Sequence, residues 1–559
     1  MKRDLQKVMA HVDTFLKQKM AAARTPALTI ALLDREQTLY VGTYGYANLE
    51  TRTPLTPQHL FEIGSVGKVF TAVAILQLHE QGQLDLHAPV TDYLPWFAVN
   101  NPFAQPITLH HLLRNTSGLG AGLDFSPDGR GEVWELRQTT LGFAPGSQVH
   151  YSNVGYKVLG LVLEAVTQRP YPDIIERQIL QPLGMTQSVA QITHDTRARL
   201  AVGYMPVHDD RPFHASRSLM PAPWLETNTG DGAIAATAAD MARFWRMLLN
   251  EGMGENGRIL SPESYRLLLQ WGQDLEAYDD WAYGLYRFAV EGTERIFHTG
   301  DMPGYMASLT ADLETGLGVV VLLTQPPAYS TPFYPLSLLQ AWRQGERLPR
   351  PPAAPDPLRV DNAADYAGEY RCGDKRLTVV AEKKRLFLLH DGARLPLEMQ
   401  EEDVFYTPHA PFDRFMLEFG REEEALTTLH VHHDDDDHHH DDEEPGPVVE
   451  LFYGTAWYVN GRYSGPTTFD YPPAWDAYSG HYRSHNPWES NFRIGVVKGM
   501  LVLFRPTGET EPLLPMPDGT FRLGEEEFAP ERIHFDAIVD GQALRAHLDG
   551  ALYYRFFTA

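Results

Sequence analysis

The sequence predicts an α+β amino-terminal domain followed by two small antiparallel β-barrels, and three features carry that expectation. A helical apolar stripe leads at once into two strands, so the chain opens as a helix beside a hairpin. Four consecutive strands and a closing helix complete the same region between residues 285 and 342. Beyond a proline-rich linker, the chain then repeats itself at an offset of 112 residues.

Leu5, Val8, Val12, Phe15 and Leu16 recur at helical spacing through the first twenty residues. Residues 27–33 and 39–46 read as strands on either side of Asp34-Arg35-Glu36-Gln37. Ser65-Val66-Gly67-Lys68 then runs into the apolar series Val69, Val73, Ile75, Leu76 and Leu78, the pattern of a buried helix. Residues 108–119 read as a short helix ending at Gly118, and 154–167 as a longer one. Strands at 285–290, 295–299, 306–312 and 318–324 follow, with turns at Glu291-Gly292, Pro303-Gly304 and Glu314-Thr315-Gly316. A helix over 336–342 closes the domain. The expected boundaries are 1–348 for this domain, 349–357 for a stiff linker, 358–455 for the first barrel, and 456–559 for a connecting segment and the second barrel.

The repeat pairs Tyr366-Ala367-Gly368-Glu369-Tyr370-Arg371 with Tyr478-Ser479-Gly480-His481-Tyr482-Arg483. Later segments stay in step, 377–380 with 492–496, 386–389 with 501–504, and 415–419 with 535–539. Both copies are short alternating strands with turn residues between them, the pattern of small, lipocalin-like antiparallel barrels. Where the second copy turns tightly at Asp549-Gly550, the first holds a His/Asp/Glu-rich run from His432 to Glu444. That run reads as an extended, solvated hairpin loop. Imidazole and carboxylate can chelate divalent ions, but a loop without fixed geometry holds them weakly, and the sequence assigns no metal site and no cofactor.

Length and composition narrow the function. The 559 residues suggest about three or four domains of roughly 150 residues, and an apolar content of 43% is enough for a sizeable core. No apolar run reaches the ~20 residues that span a bilayer, and the first residues lack a signal-peptide apolar region. Cys372 stands alone, which fits a reducing compartment. A net charge of −26 argues against nucleic acid or an anionic membrane as partners. A cytoplasmic multidomain protein is expected, and a homo-oligomer is compatible with all of these features.

The chemistry centres on Ser65 and Lys68. Three residues apart on a helix, their side chains share a face, and the helix's first turn offers free N–H groups to a developing anion. Burial favours a neutral amine at Lys68, which can then take the serine proton. Tyr151 is the expected proton shuttle, and Asn153 a ligand of Lys68 or of a substrate amide. His298-Thr299-Gly300 ends a strand, where the glycine admits close backbone approach. The Asp301 N–H is expected to pair with that of Ser65 around a carbonyl oxygen.

Ser-x-x-Lys at Ser65, Tyr-Ser-Asn at Tyr151 and His-Thr-Gly at His298, in this order, resemble the serine β-lactamase and penicillin-binding protein superfamily. The nearest likeness is to its class C branch, with related esterases, D-aminopeptidase and D-Ala-D-Ala carboxypeptidase. The stretches 112–119, 143–146 and 232–242 match the family as well, and the likeness covers about residues 5–345. It implies a β-lactamase/transpeptidase-like domain, in which a helical part lies beside an α/β sandwich and the site lies between them. It also implies a metal-independent serine hydrolase acting through an acyl-enzyme on small esters, amides or short D-residue peptides. β-Lactam or D-Ala-D-Ala turnover, and a non-catalytic protein that keeps the pocket for binding, are the alternatives. One departure bears on specificity: the penicillin-recognising members usually carry lysine where this chain has His298, whose charge at its reference pKa would be partial near neutral pH.

Overall fold

A computed structural model describes residues 5–122, 128–270, 281–290, 293–325, 328–353, 356–422 and 446–556. The chain forms two compact units, one of Met1–Met205 with Leu219–Ala353, the other of Pro206–Ser218 with Ala354–Ala559. The His/Asp/Glu run at 432–444 lies outside the described residues.

The first unit is built on a seven-stranded antiparallel sheet. Its strands are β1 (Ala27–Asp34), β2 (Thr38–Asn48), β3 (Thr53–Pro54), β4 (Tyr286–Val290), β5 (Thr293–Met302), β6 (Tyr305–Asp312) and β7 (Leu317–Thr324). They lie in the order β4-β5-β6-β7-β1-β2-β3, with Leu28 opposite Leu323. β1, β6 and β7 are buried at every residue, so both sheet faces are covered. Alternation along β1 divides the core in two. Leu28, Ile30 and Leu32 face α1 (Leu5–Ala23) and α6 (Phe333–Gln344), whereas Ala27, Ala31 and Leu33 face the larger, helix-rich core. Phe15 on α1 packs on Tyr334 of α6 at 4.8 Å between ring centroids.

The helix-rich part surrounds α2 (Gly67–Glu80), which is buried without interruption from Gly67 to Leu78. Two other helices bear on the site, α3 (Gly129–Glu135) and α4 (Asn153–Thr167), while α5 (Ala238–Leu249) packs on the sheet. The helix expected over 108–119 is shorter, Leu109–Leu113, and is capped by Thr108. Asn115 takes the left-handed conformation after it, at φ 55°. Gly118 has another task, because a Cβ there would lie 2.4 Å from the Phe143 carbonyl oxygen. The segments 112–119 and 143–146 thus pack on each other.

The second unit holds both repeats. The first forms β8 (Gly368–Cys372), β9 (Lys375–Ala381), β10 (Leu386–His390), β11 (Ala393–Pro396), β12 (Glu398–Glu401), β13 (Val404–Tyr406), β14 (Leu417–Arg421), β15 (Val448–Tyr453) and β16 (Ala456–Val459). Their order is β11-β10-β9-β8-β16-β15-β14-β13-β12, and only Leu397 separates the two end strands in sequence, so the barrel is nearly closed. The second repeat closes fully: β17 (Gly480–Arg483), β18 (Asn491–Val497), β19 (Met500–Phe504), β20 (Thr510–Pro515), β21 (Phe521–Leu523), β22 (Arg532–Val539), β23 (Gln542–Leu548) and β24 (Ala551–Phe556). β24 pairs back onto β17, with Phe556 opposite His481.

The repeat holds at atomic detail. The Tyr370 hydroxyl donates to the Tyr366 carbonyl at 2.8 Å, and the Tyr482 hydroxyl to the Tyr478 carbonyl at the same distance. Phe419 packs on Tyr366 and Tyr370 as Phe535 packs on Tyr478 and Tyr482. Phe419, not Phe415, is therefore the counterpart of Phe535. Between the barrels, Phe452 joins Val497, Val502 and Phe504 in one apolar cluster.

Candidate active site

Ser65 lies in a single 3₁₀ turn, Gly64–Val66, that continues into α2. The turn sets Ser65 Oγ 3.0 Å from Lys68 Nζ. Lys68 is fully buried, and its Nζ also donates to Asn153 Oδ1 at 2.7 Å and to the Asp231 carbonyl at 3.2 Å. The Tyr151 ring stands 4.8 Å from the same nitrogen, and that of Tyr156 5.7 Å. Four sequence-predicted side chains, Ser65, Lys68, Tyr151 and Asn153, thus meet around one amine.

Glycines bring two backbone segments together beside Ser65. A Cβ on Gly300 would fall 2.0 Å from the Ile63 carbonyl and 2.8 Å from the Ser65 nitrogen. Gly64, at φ +51°, has the same relation to Asp301, whose nitrogen lies 2.7 Å from where its Cβ would be. β5 and β6 turn over two residues, with Met302 opposite Tyr305 and Asp301 opposite Met306. Hydrogen-bonded and non-bonded pairs alternate along such a ladder, so the backbone of Asp301 faces away from β6, toward Gly64 and Ser65. The Asp301 carboxylate accepts from the Tyr329 hydroxyl at 2.9 Å, and burial pushes its pKa up to about 6 against that hydrogen bond. Thr299, half-buried, belongs to the same strand face as Asp301, with Ser308 opposite it.

Tyr151-Ser152-Asn153 is held by a loop on one side and a helix on the other. Ser152 caps α4: its Oγ accepts the Gly155 N–H at 3.0 Å and donates to the Gly120 carbonyl at 2.7 Å. The Asn153 N–H donates to the Ala121 carbonyl at 2.8 Å. The capping task thus falls to Ser152, and the Asn153 carboxamide is turned to Lys68.

His298 differs in state from the sequence expectation. It is 1% exposed, and burial, with the charge of Lys68 in second place, pushes its pKa down to about 3. The ring is therefore neutral at physiological pH. Its Nδ1 contacts the Thr299 carbonyl, which can only accept, so Nδ1 carries the hydrogen and the buried Nε2 has no partner. Trp281 and Tyr286 wall it in at 6.0 and 5.7 Å between ring centroids, and Trp281 meets Tyr151 edge-on at 5.6 Å.

Sequence reasoning missed several of these neighbours. Asp231 contributes a backbone carbonyl, which no side-chain pattern reveals. Trp281 and Tyr286 had no motif around them. His110 is half-buried: its Nδ1 lies 2.6 Å from the Tyr283 hydroxyl, and burial, followed by the nearby His87, His111 and Arg114, pushes its pKa down to about 4.

The family model described as Beta-lactamase matches residues 12–334. Penicillin-binding protein 4 of Amycolatopsis lactamdurans is 31% identical over 351 residues, which are 58% of this chain and 88% of that protein. Among solved structures, the octameric penicillin-binding protein homologue from Pyrococcus abyssi aligns over 81% of this chain and all of its own, at a TM-score of 0.55 and 23% identity. A penicillin-binding protein from Bacillus halodurans aligns over 59% of this chain and 98% of its own, at a TM-score of 0.50 and 24% identity.

Proposed function

The chain belongs to the beta-lactamase family, and from that premise we propose that it is a serine hydrolase working through an acyl-enzyme on small neutral esters and amides. Short peptides with D-residues are the leading physiological substrates, and the cytoplasm the expected compartment. The observation that carries this reading is the set of acceptors around Lys68 Nζ. Asn153 Oδ1 and the Asp231 carbonyl have no proton to give, so a neutral Lys68 amine spends its two N–H groups on them. In that state its lone pair can take the proton of Ser65 Oγ, 3.0 Å away. Ser65 attacks the substrate carbonyl carbon while its proton passes to Lys68. The Ser65 and Asp301 N–H groups hold the oxyanion. The leaving group departs with a proton relayed through Lys68 and Tyr151, and water then releases the acyl group by the reverse relay.

His298 supports the preference for neutral substrates. A lysine there would offer a full charge to a carboxylate, whereas a buried neutral imidazole offers none. The name of the Amycolatopsis relative favours a second reading, β-lactam or D-Ala-D-Ala turnover. Both readings predict a fluorophosphonate adduct on Ser65, found by mass spectrometry, and its loss in Ser65→Ala. Lys68→Ala and Tyr151→Phe should each slow turnover by roughly 10³ or more, with little further loss when combined. An adduct at another residue, or full activity in Ser65→Ala, overturns the mechanism. A panel of activated esters, D- and L-aminoacyl anilides and a chromogenic cephalosporin separates the two readings.

A further inference from the structure

The carbonyl that holds Lys68 belongs to a residue whose side chain joins a second set of buried charges. Lys157 Nζ lies 2.5 Å from Glu132 Oε2 and 3.9 Å from Asp231 Oδ2. The side chains of Lys157 and Glu132 are 2% and 3% exposed, and that of Asp231 10%. Lys157 follows Asn153 by one turn of α4, so the two share a helix face. From that face Asn153 reaches Lys68, and Lys157 reaches the residue behind it. Glu132, on α3, approaches from the other side. Its Oε1 lies 2.9 Å from where a Cβ of Gly122 would be, beside the Ala121 carbonyl that takes the Asn153 N–H.

The rest of the Gly230-Asp231-Gly232 segment is fixed by backbone contacts. Thr71 Oγ1 donates to the Gly230 carbonyl at 2.5 Å. A Cβ on Gly230 would come within 3.0 Å of Gly160 Cα, and one on Gly67 within 3.2 Å of Gly232 Cα. Asp231 Oδ1 has no hydrogen-bond partner, and Lys157 Nζ stands 3.9 Å from Oδ2 of the same carboxylate. A buried ion pair adds little net stability, because desolvation of both charges offsets their attraction. Lys157 lies one helical turn from Asn153 and 3.9 Å from the Asp231 carboxylate, which sets the pair beside both acceptors of Lys68.

We propose that the Lys157–Glu132 pair is a positioning device for Lys68, which holds Asp231 and the start of α4 so that the two acceptors opposite Ser65 stay in place. The inference rests on the serine-hydrolase reading. Among the described residues, the titratable groups facing Lys68 include Tyr151, Tyr156, His298 and Asp231, and those facing Lys157 and Asp231 include Glu132 and Tyr171. Without Lys157, the carboxylate of Asp231 stands uncompensated behind Lys68 and favours its charged form.

The test is the double variant Lys157→Met/Glu132→Gln, which leaves no orphaned partner within the pair. The readouts are thermal unfolding and the rate of fluorophosphonate labelling at Ser65 from pH 5 to 10. The variant should stay folded, label 10- to 100-fold more slowly at pH 7, and show its acid limb about one pH unit higher. Lys157→Arg should label near the wild-type rate. Asp231→Asn, which removes the carboxylate, should shift the limb the opposite way, and it serves where the double variant does not fold. A folded double variant, or Asp231→Asn, with the wild-type rate and limb overturns the proposal alone. Absence of any Ser65 adduct in the wild type removes the hydrolase reading and this proposal with it.

Discussion

Glu62 stands three residues before Ser65 and is 4% exposed, between the sheet and the helical core. Burial pushes its pKa up from 4.5 to about 8, so the folded protein carries it as a neutral acid at pH 7. Because the folded-state value is the higher one, the stability linked to Glu62 is fully present below about pH 4.5 and is lost as pH rises through 8. Asp301, raised to about 6, acts in the same direction over a lower window. His298 and His110, both lowered, act oppositely but only below their ordinary value of 6.5. Above pH 6.5 Glu62 shares its window with Glu418, which burial also raises to about 8, and with Asp549, which burial raises well above its ordinary value, so its own share is the difference between wild type and Glu62→Gln. There the urea midpoint should fall toward pH 8.5 in both proteins but more steeply in the wild type, the difference being a few kcal/mol at ~1.4 per pKa unit. Equal slopes in the two proteins would show that Glu62 ionises freely. At this scale the sequence makes the contact between Ser65 and Lys68 legible, because the two are one helical turn apart. It cannot show the neutrality of His298, which depends on Trp281, Tyr286 and Lys68, all brought in from elsewhere in the chain.

Single elements matter where their ends carry the site. α4 begins at Ser152, whose hydroxyl serves the helix through Gly155 and the loop through Gly120. Ser152→Ala removes both bonds, at a cost of about 1–2 kcal/mol in unfolding free energy. Asn153 is the first residue of that helix, so its hold on Lys68 should loosen too, with acylation slowed at least tenfold and KM little changed. Ser152→Thr should keep both stability and rate. A variant that loses stability but acylates normally would show that the loop alone positions Asn153. The elements were mostly legible, because alternation and turn residues mark the strands, 27–33 and 318–324 among them. Their pairing was not, since β7 lies beside β1 across the whole domain and no local pattern encodes that neighbour. The helix at Leu109–Leu113 stops early for a related reason: the Gly118 backbone is engaged by Phe143, far along the chain.

At the scale of the molecule, the hairpin tip Pro206–Ser218 belongs to the barrel unit although its strands, Tyr204–Pro206 and Leu219–Pro221, pair with each other where the first unit's sequence is interrupted. Arg211 and Arg217 reach the Asp413 carboxylate at 2.8 and 3.2 Å, and His214 reaches Glu398 at 3.1 Å, all on the first barrel. On the second, Asp209 accepts from Ser490 at 2.8 Å and pairs with Arg483. The tandem repeat made both barrels legible in sequence, but nothing in it marked this segment as theirs, because partners two hundred residues away leave no local signature. A chain ending at Ala353 strips the tip of every one of these partners, leaving Asp209, Arg211, His214 and Arg217 to solvent. Such a chain should still label at Ser65, since every residue of the proposed mechanism precedes the cut, but it should aggregate more readily than the whole protein. Joining Pro206 to Leu219 through Asn-Gly, a turn suited to two paired strands, should restore its solubility. Light scattering and labelling of the three proteins decide the matter. If the truncated chain is as soluble as the full one with its tip intact, the tip does not depend on the barrels. If neither shortened chain labels, the barrels are part of the folding unit that builds the site.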